Sequence, residues 1–204
     1  MSPDQEQKWE EFLGLVLQKA APFLAVRADM DHARVSHDYA KLLLAAEGGD
    51  RRVVEPAIIL HDVGWSALKP EEIVAAFGVR SSGAEAQRLN RIHEIQGAEI
   101  AGSILRELGY ATDLTKTITI IISRHDSGQN PESLEEKIVK DSDKLWRVSK
   151  IGLWQELERQ GGVGAQEYWD FVGQRVPGWF FTAAGLAQAR VELAERALEI
   201  KARA

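Results

Sequence analysis

A histidine and an aspartate stand side by side at the end of an apolar run, and their residue types suit metal chemistry. His61 and Asp62 follow residues 57–60, which read Ala-Ile-Ile-Leu, and precede Val63 and Gly64. An imidazole and a carboxylate bind one divalent metal if the backbone turns between them, and we predict that Gly64 supplies this turn. Two polar groups at the end of an apolar run are costly unless a partner satisfies them, and a metal ion does so.

Other histidines and carboxylates occur at helix-scale intervals around this pair. His32 precedes it by about thirty residues, His93 and His125 follow at similar intervals, and Asp141 and Asp143 come next. The chain has no Cys, which excludes disulfides, thiolate nucleophiles and thiolate ligands. Histidine and carboxylate ligands without sulfur suit Mn, Fe, Ni, Co or Zn about equally. The pattern therefore predicts a site for a divalent transition metal.

This ordered set resembles the HD-domain superfamily of metal-dependent phosphohydrolases. The resemblance implies an all-α HD-type fold in which His32, His61, Asp62 and Asp143 hold the metal. It spans roughly residues 30 to 147 and is carried by His32, 57–64 (AIILHDVG), 93–100 (HEIQGAEI), 121–125 (IISRH) and 141–145 (DSDKL).

The resemblance also implies which side chains are catalytic. These are Asp62, His93 and His125, where the two histidines either stabilise a phosphate group or bind a second ion. In the segment that contains His125, some relatives carry two adjacent histidines, whereas here His125 is followed by Asp126. We therefore expect one tightly bound metal ion, with a second ion as the alternative.

The last metal ligand has two candidates, because Asp141 and Asp143 lie about 200° apart on one helix. The apolar stripe of that helix would turn Asp141 inward. The resemblance favours Asp143, which is followed by a basic and an apolar residue. We follow the motif and predict Asp143. Lys144 and Arg147 are then the expected contacts of the substrate phosphate.

Apolar residues recur at helical spacing through nearly the whole chain, which predicts an all-α protein. Residues 115–123 are the one conflict, because their alternating Thr and Ile favour a strand. We predict a helix there, since Leu114, Ile118, Ile121 and Ile122 share one helical face and no second strand of similar strength exists to pair with it.

Caps and breakers predict several boundaries. Asp50 caps the helix that leads to the His-Asp pair. Pro70 begins a short helix that ends near Gly78, and residues 79–83 form a loop. A final amphipathic helix starts at about Ala183.

Composition bounds the fold and the partners. The 204 residues are 45% hydrophobic and 27% charged, which suits one soluble HD-type domain over 1–204, with a metal-site core at about 28–150 and a C-terminal helical extension at 151–204. A net charge of −6 argues against nucleic-acid polymers and anionic membranes. It leaves room for a small phosphorylated molecule, because a bound dication is locally positive. The polar N-terminus and the lack of a long apolar run predict a cytoplasmic protein without signal peptide or membrane span.

The function that follows from the resemblance is metal-dependent hydrolysis of a small phosphate ester, in the first place a nucleotide, by metal-activated water. The alternatives are an HD-type di-iron oxygenase and a metal- or nucleotide-binding regulatory domain without turnover. The tail aromatic residues are expected in the core or at a homodimer contact, rather than in a base-stacking pocket. These residues are Tyr168, Trp169, Phe171, Trp179, Phe180 and Phe181.

Overall fold

The structure is a computed structural model that describes residues 2–76 and 83–203. Within these residues the chain forms ten α-helices and two short 3-10 helices, Ala25–Arg27 and Val63–Ala67, and contains no strand. The all-α prediction is thus confirmed. The helices are α1 (Pro3–Leu24), α2 (Met30–Glu47), α3 (Arg51–Leu60), α4 (Pro70–Ala76), α5 (Ala84–Glu107), α6 (Thr112–Ile122), α7 (Leu134–Trp146), α8 (Lys150–Arg159), α9 (Ala165–Trp179) and α10 (Ala183–Arg203).

The segment with conflicting Thr and Ile signals is helix α6, as predicted. Ile118, Ile121 and Ile122 are buried on one face, whereas Ile120 is 44% exposed. A strand would leave its backbone N–H and C=O groups without partners here, because no strand is described elsewhere. A helix pairs these groups within the segment and still buries the apolar face.

Helix α3 lies at the centre of the fold and ends at the His-Asp pair. Every side chain from Val53 to Leu60 is buried, and α1, α2, α6 and α7 pack around the helix. The Asp50 carboxylate caps it by accepting a hydrogen bond from the backbone N–H of Arg52, as predicted. Packing on all sides fixes the position at which the helix delivers the His-Asp pair.

Gly64 has a different role from the predicted one. It is not among the residues with a positive φ, so no turn requires glycine there. A Cβ at this position would instead lie 1.9 Å from the carbonyl oxygen of His93 and 2.4 Å from the backbone nitrogen of Gly97. Glycine is needed because the 3-10 helix Val63–Ala67 touches the backbone of α5. This contact brings the His-Asp pair next to His93.

The C-terminal helices share the core of the rest of the chain. Helix α10 packs against α9, α7 and α2, and one hydrophobic core extends from Leu13 to Ile200. Helix α4 begins at Pro70, as predicted. Its predicted end near Gly78, and residues 79–82 of the loop predicted at 79–83, lie outside the described residues. None of the described helices combines the length and apolar character that a bilayer span requires.

Candidate metal centre

Four buried histidines converge at the end of α3. His32 lies on α2, His61 follows α3, His93 lies on α5 and His125 follows α6. The Nδ1 atoms of His61 and His125 each donate to the carbonyl oxygen three residues earlier, at 2.7 and 2.8 Å. A carbonyl oxygen only accepts, so Nδ1 of each ring carries a proton. The Nε2 atoms of both rings therefore face the centre as metal-binding atoms.

His32, His61, Asp62 and Asp143 form what we call the first donor set. His32 Nε2 lies 3.2 Å from Asp143 Oδ1, and His32 Nδ1 lies 3.1 Å from Asp62 Oδ2. His61 Nε2 is 3.5 Å from Asp143 Oδ1 and 3.6 Å from Asp62 Oδ2. This nitrogen is buried and accepts no hydrogen bond from any described residue. A buried imidazole nitrogen facing two carboxylates fits a divalent metal, which His32, His61 and Asp143 could hold with one ligand atom each.

Asp62, His93, His125 and Asp126 form the second donor set. The Nε2 atoms of the two histidines lie 3.3 Å apart, and they lie 3.7 and 3.6 Å from Asp62 Oδ1. Both are 3.8 Å from Asp126 Oδ2. Asp62 thus faces the first set with Oδ2 and the second set with Oδ1. The position where some relatives carry a second histidine holds another oxygen donor, which sequence reasoning had counted only as a departure.

Two side chains that sequence reasoning missed hold the shared carboxylate of Asp62. Arg27 Nη2 donates to Asp62 Oδ2 at 2.9 Å, and Trp65 Nε1 donates to Oδ1 at 3.0 Å. Burial acts to raise the pKa of Asp62, but the charges of His61 and Arg27 hold it well below its usual range. The Trp65 ring also stacks on His93, with centroids 3.9 Å apart. The position of Trp65, three residues after Asp62 and so within one turn, was the only sequence signal for its contact with Asp62.

The two histidines of the second donor set differ in charge. Burial and the neighbouring charge of His125 both lower the pKa of His93, to about 4. Burial also disfavours the His125 cation, but its hydrogen bond to Asp62 and the charge of Asp126 outweigh this and raise its pKa to about 9. At neutral pH and without metal, His125 therefore carries the positive charge and His93 is neutral.

The loop after α6 that carries His125 and Asp126 is held by two buried side chains. Glu94 Oε1 accepts hydrogen bonds from the backbone N–H groups of Asp126 and Ser127, at 2.9 and 2.8 Å, and Glu94 Oε2 accepts from the Ser127 hydroxyl at 2.7 Å. Lys140 Nζ donates to two carbonyls of the loop, that of His125 among them. Neighbouring His93 and Glu94 thus act on one site from one helix, the first directly and the second through the loop.

The predicted phosphate contacts line a cavity beside the donor sets. Lys144 Nζ lies 2.5 Å from Asp143 Oδ2 and 2.9 Å from Asp126 Oδ1, so it joins the two donor sets. Arg147 lies one turn later, 3.9 Å from the buried carboxylate of Glu156. Lys144, Arg147 and Asp126 all line the same cavity of about 350 Å³.

Asp141 and Asp143 have separate surroundings. Asp143 lies in the first donor set, whereas Asp141 accepts hydrogen bonds from the backbone N–H groups of Phe181 and Thr182 and from the Thr182 hydroxyl. These contacts hold the start of α10. Both aspartates are buried, so the apolar stripe correctly indicated that Asp141 points inward, but it points to a helix start instead of the histidines.

The fold is all-α, and it gathers four histidines, Asp126 and Asp143 around the shared carboxylate of Asp62. Together these features define a helical domain with a candidate metal site. The family model of the HD domain matches residues 30–147, which is more than half of the chain. The chain belongs to the HD domain family, whose members are in general metal-dependent phosphohydrolases. No curated protein and no solved structure matches the chain significantly. The matched region ends at Arg147, before α8, α9 and α10 begin.

Proposed function

We propose that the protein is a metal-dependent phosphohydrolase that acts on a small phosphate ester, a nucleotide. The observation that carries the proposal is the convergence of the first donor set, in which the buried His61 Nε2 faces the carboxylates of Asp62 and Asp143. Two imidazoles and two carboxylates, without sulfur, are a ligand set for a divalent transition metal.

The proposed chemistry divides between the metal and the side chains. A bound divalent ion would lower the pKa of a water molecule and polarise a phosphoryl oxygen. His32, His61, Asp62 and Asp143 would hold it. Lys144 supplies positive charge at the cavity, where it would bind the substrate phosphate together with Arg147.

The second donor set supports one of two roles for His93 and His125. In the absence of a second ion, the His125 imidazole would donate a hydrogen bond or a proton to the leaving oxygen. With a second ion, both imidazoles and Asp126 would be ligands. We propose a tight first site and a weaker second site, because Asp126 stands where some relatives carry a second histidine.

The size and charge of the cavity support a small anionic substrate. A volume of about 350 Å³ lies near the lower end of the range of small-molecule sites, which is about 300–1,000 Å³. Two cations line it beside the donor sets, so a phosphate group is the natural partner at that end. A nucleic-acid polymer would need a broader basic surface than a chain of net charge −6 offers.

The test combines metal analysis with a substrate screen. Purified protein is analysed for bound metals by inductively coupled plasma mass spectrometry and assayed for phosphate release from nucleotides, sugar phosphates and pyrophosphate. The proposal expects a bound transition metal and metal-dependent phosphate release that Asp62→Ala abolishes. Two irons with oxygen consumption would indicate an oxygenase instead. Tight metal binding with no turnover of any ester would indicate a regulatory domain.

A further inference from the structure

One wall of the cavity comes from outside the region that matches the HD domain family. Gln160, Phe171 and Trp179 line the cavity, and all three follow residue 147, where the match ends. Lys144 and Arg147 line the same space beside the donor sets. The C-terminal helices therefore face whatever molecule the metal-site end of the cavity holds.

The two aromatic rings of this wall lie close to the cationic end. The Phe171 and Trp179 rings have centroids 6.5 Å apart and an interplanar angle of 68°, so they form a corner and not a stack. The guanidinium carbon of Arg147 lies 6.0 Å from the centroid of the Trp179 ring. A ligand whose phosphate contacts Arg147 thus places its next group against the aromatic corner.

The remaining polar lining consists largely of carboxamides. Gln87 and Asn90 of α5 line the cavity, and Gln160 adds a third amide. A carboxamide both donates and accepts hydrogen bonds. The edge of a nucleobase needs such partners, and its face stacks on aromatic rings. A sugar phosphate without a base would use the cations but would leave the aromatic corner empty.

We propose that Phe171 and Trp179 form a specificity wall for the base of a nucleoside phosphate, whose phosphate lies at Lys144 and Arg147. The cavity volume of about 350 Å³ suits one nucleotide. Phe171 and Trp179 pack against the hydrophobic core, as the sequence predicted, and they also line the cavity. This inference rests on the proposed function, because hydrolysis of the same ligand requires the metal centre.

The test compares matched substrates with and without a base. Adenosine monophosphate is paired with ribose 5-phosphate, and adenosine triphosphate with inorganic triphosphate, using the Mn²⁺-loaded full chain. We expect Trp179→Leu and Phe171→Leu each to lower kcat/KM for the base-bearing substrate about 5- to 150-fold, the equivalent of about 1–3 kcal/mol for one base stack. The rate on the base-free partner should fall much less, because that substrate has no base to place against the rings.

Phe181→Leu is the matched control, since this neighbouring side chain is 37% exposed and does not line the cavity. Circular dichroism verifies that each variant is folded, and the two wall variants serve as backups for each other. The proposed wall is refuted if a variant loses kcat/KM equally on both substrates of a pair. It is also refuted if the wild-type protein prefers the base-free substrate.

Binding measurements separate failure of the wall from failure of the proposed function. If no ester is hydrolysed, the proposed function fails, and calorimetric titration of the Mn²⁺-loaded protein with adenosine monophosphate and ribose 5-phosphate still tests the wall. The wall is supported if the wild-type protein binds adenosine monophosphate more tightly than ribose 5-phosphate and Trp179→Leu abolishes this preference. Equal affinities for the two ligands would refute it.

Discussion

Glu94→Gln is the substitution that best separates the two donor sets. Glu94 contacts no donor atom of either set, but its carboxylate holds the loop of His125 and Asp126 through the backbone N–H groups of Asp126 and Ser127 and the Ser127 hydroxyl. Glutamine has nearly the same shape and keeps one oxygen acceptor, but it carries no charge. We expect the second donor set to lose metal affinity while the first keeps it.

The size of the effect follows from these hydrogen bonds. A bond to a charged acceptor contributes about 1.5–3 kcal/mol, and a neutral one about 1 kcal/mol. Weakening the two N–H bonds by about 1 kcal/mol each costs about 2 kcal/mol in loop position. At 1.4 kcal/mol for each factor of ten, this corresponds to about 30-fold weaker binding of the second ion. The value lies within the 10- to 100-fold range typical of outer-shell partners of metal ligands.

The assay is calorimetric titration with Mn²⁺, checked by metal analysis after dialysis. The wild-type protein should show one tight and one weaker ion. Glu99→Gln is the control, because Glu99 lies on the same helix and its side chain is exposed. Unchanged binding of the weaker ion by Glu94→Gln would refute the argument, as would an equal loss at both sites or a wild-type protein that binds only one ion in excess Mn²⁺.

Four further predictions concern the donor sets themselves. Asp62→Ala should abolish turnover and remove bound metal, since this carboxylate faces both sets, and wild-type hydrolysis in this variant would contradict that role. Asp143→Asn should lower metal affinity at least about tenfold, whereas Asp141→Asn should lower the unfolding temperature and leave metal affinity intact; a metal titration with the reverse order would assign the ligand role to Asp141. His125→Ala should reduce the stoichiometry in excess Mn²⁺ from two ions to one, and His93→Ala should do the same; a rate loss of about 100- to 1000-fold with unchanged stoichiometry would instead assign the pair to phosphate stabilisation. Removal of metal with EDTA should lower Tm, because an ion at 100 times its Kd stabilises the native state by about 2.7 kcal/mol, and a Tm that does not respond to EDTA or Mn²⁺ would argue against metal binding by the folded chain.

The amino-acid sequence by itself determined the helical fold and indicated the histidines and aspartates that the structure brings together. Helical periodicity depends on local spacing, so it is legible without tertiary information, even in α6 where β-branched residues favour a strand. The adjacent His61 and Asp62, together with a histidine before them and two after, indicated a metal site because polar groups at the end of an apolar run are costly to bury unless a partner satisfies them. The family match over residues 30–147 confirms the family that these residues indicated.

Only the tertiary structure decided which of the remaining side chains hold the donor residues in place and which line the cavity. Arg27 and Trp65 hold Asp62, and Glu94 holds the loop after α6, through contacts between elements that no periodicity encodes. In the sequence, Gly64 indicated a turn because glycine is conformationally free. The sequence does not show that the backbone of α5 lies so close to Gly64 that a Cβ would not fit. The rings of Phe171 and Trp179 look like core residues in the sequence, since an aromatic side chain at helical spacing has the same pattern whether it faces the core or a cavity. Their position depends on how α9 packs against α10 and the hydrophobic core, and that packing exists only in the folded chain.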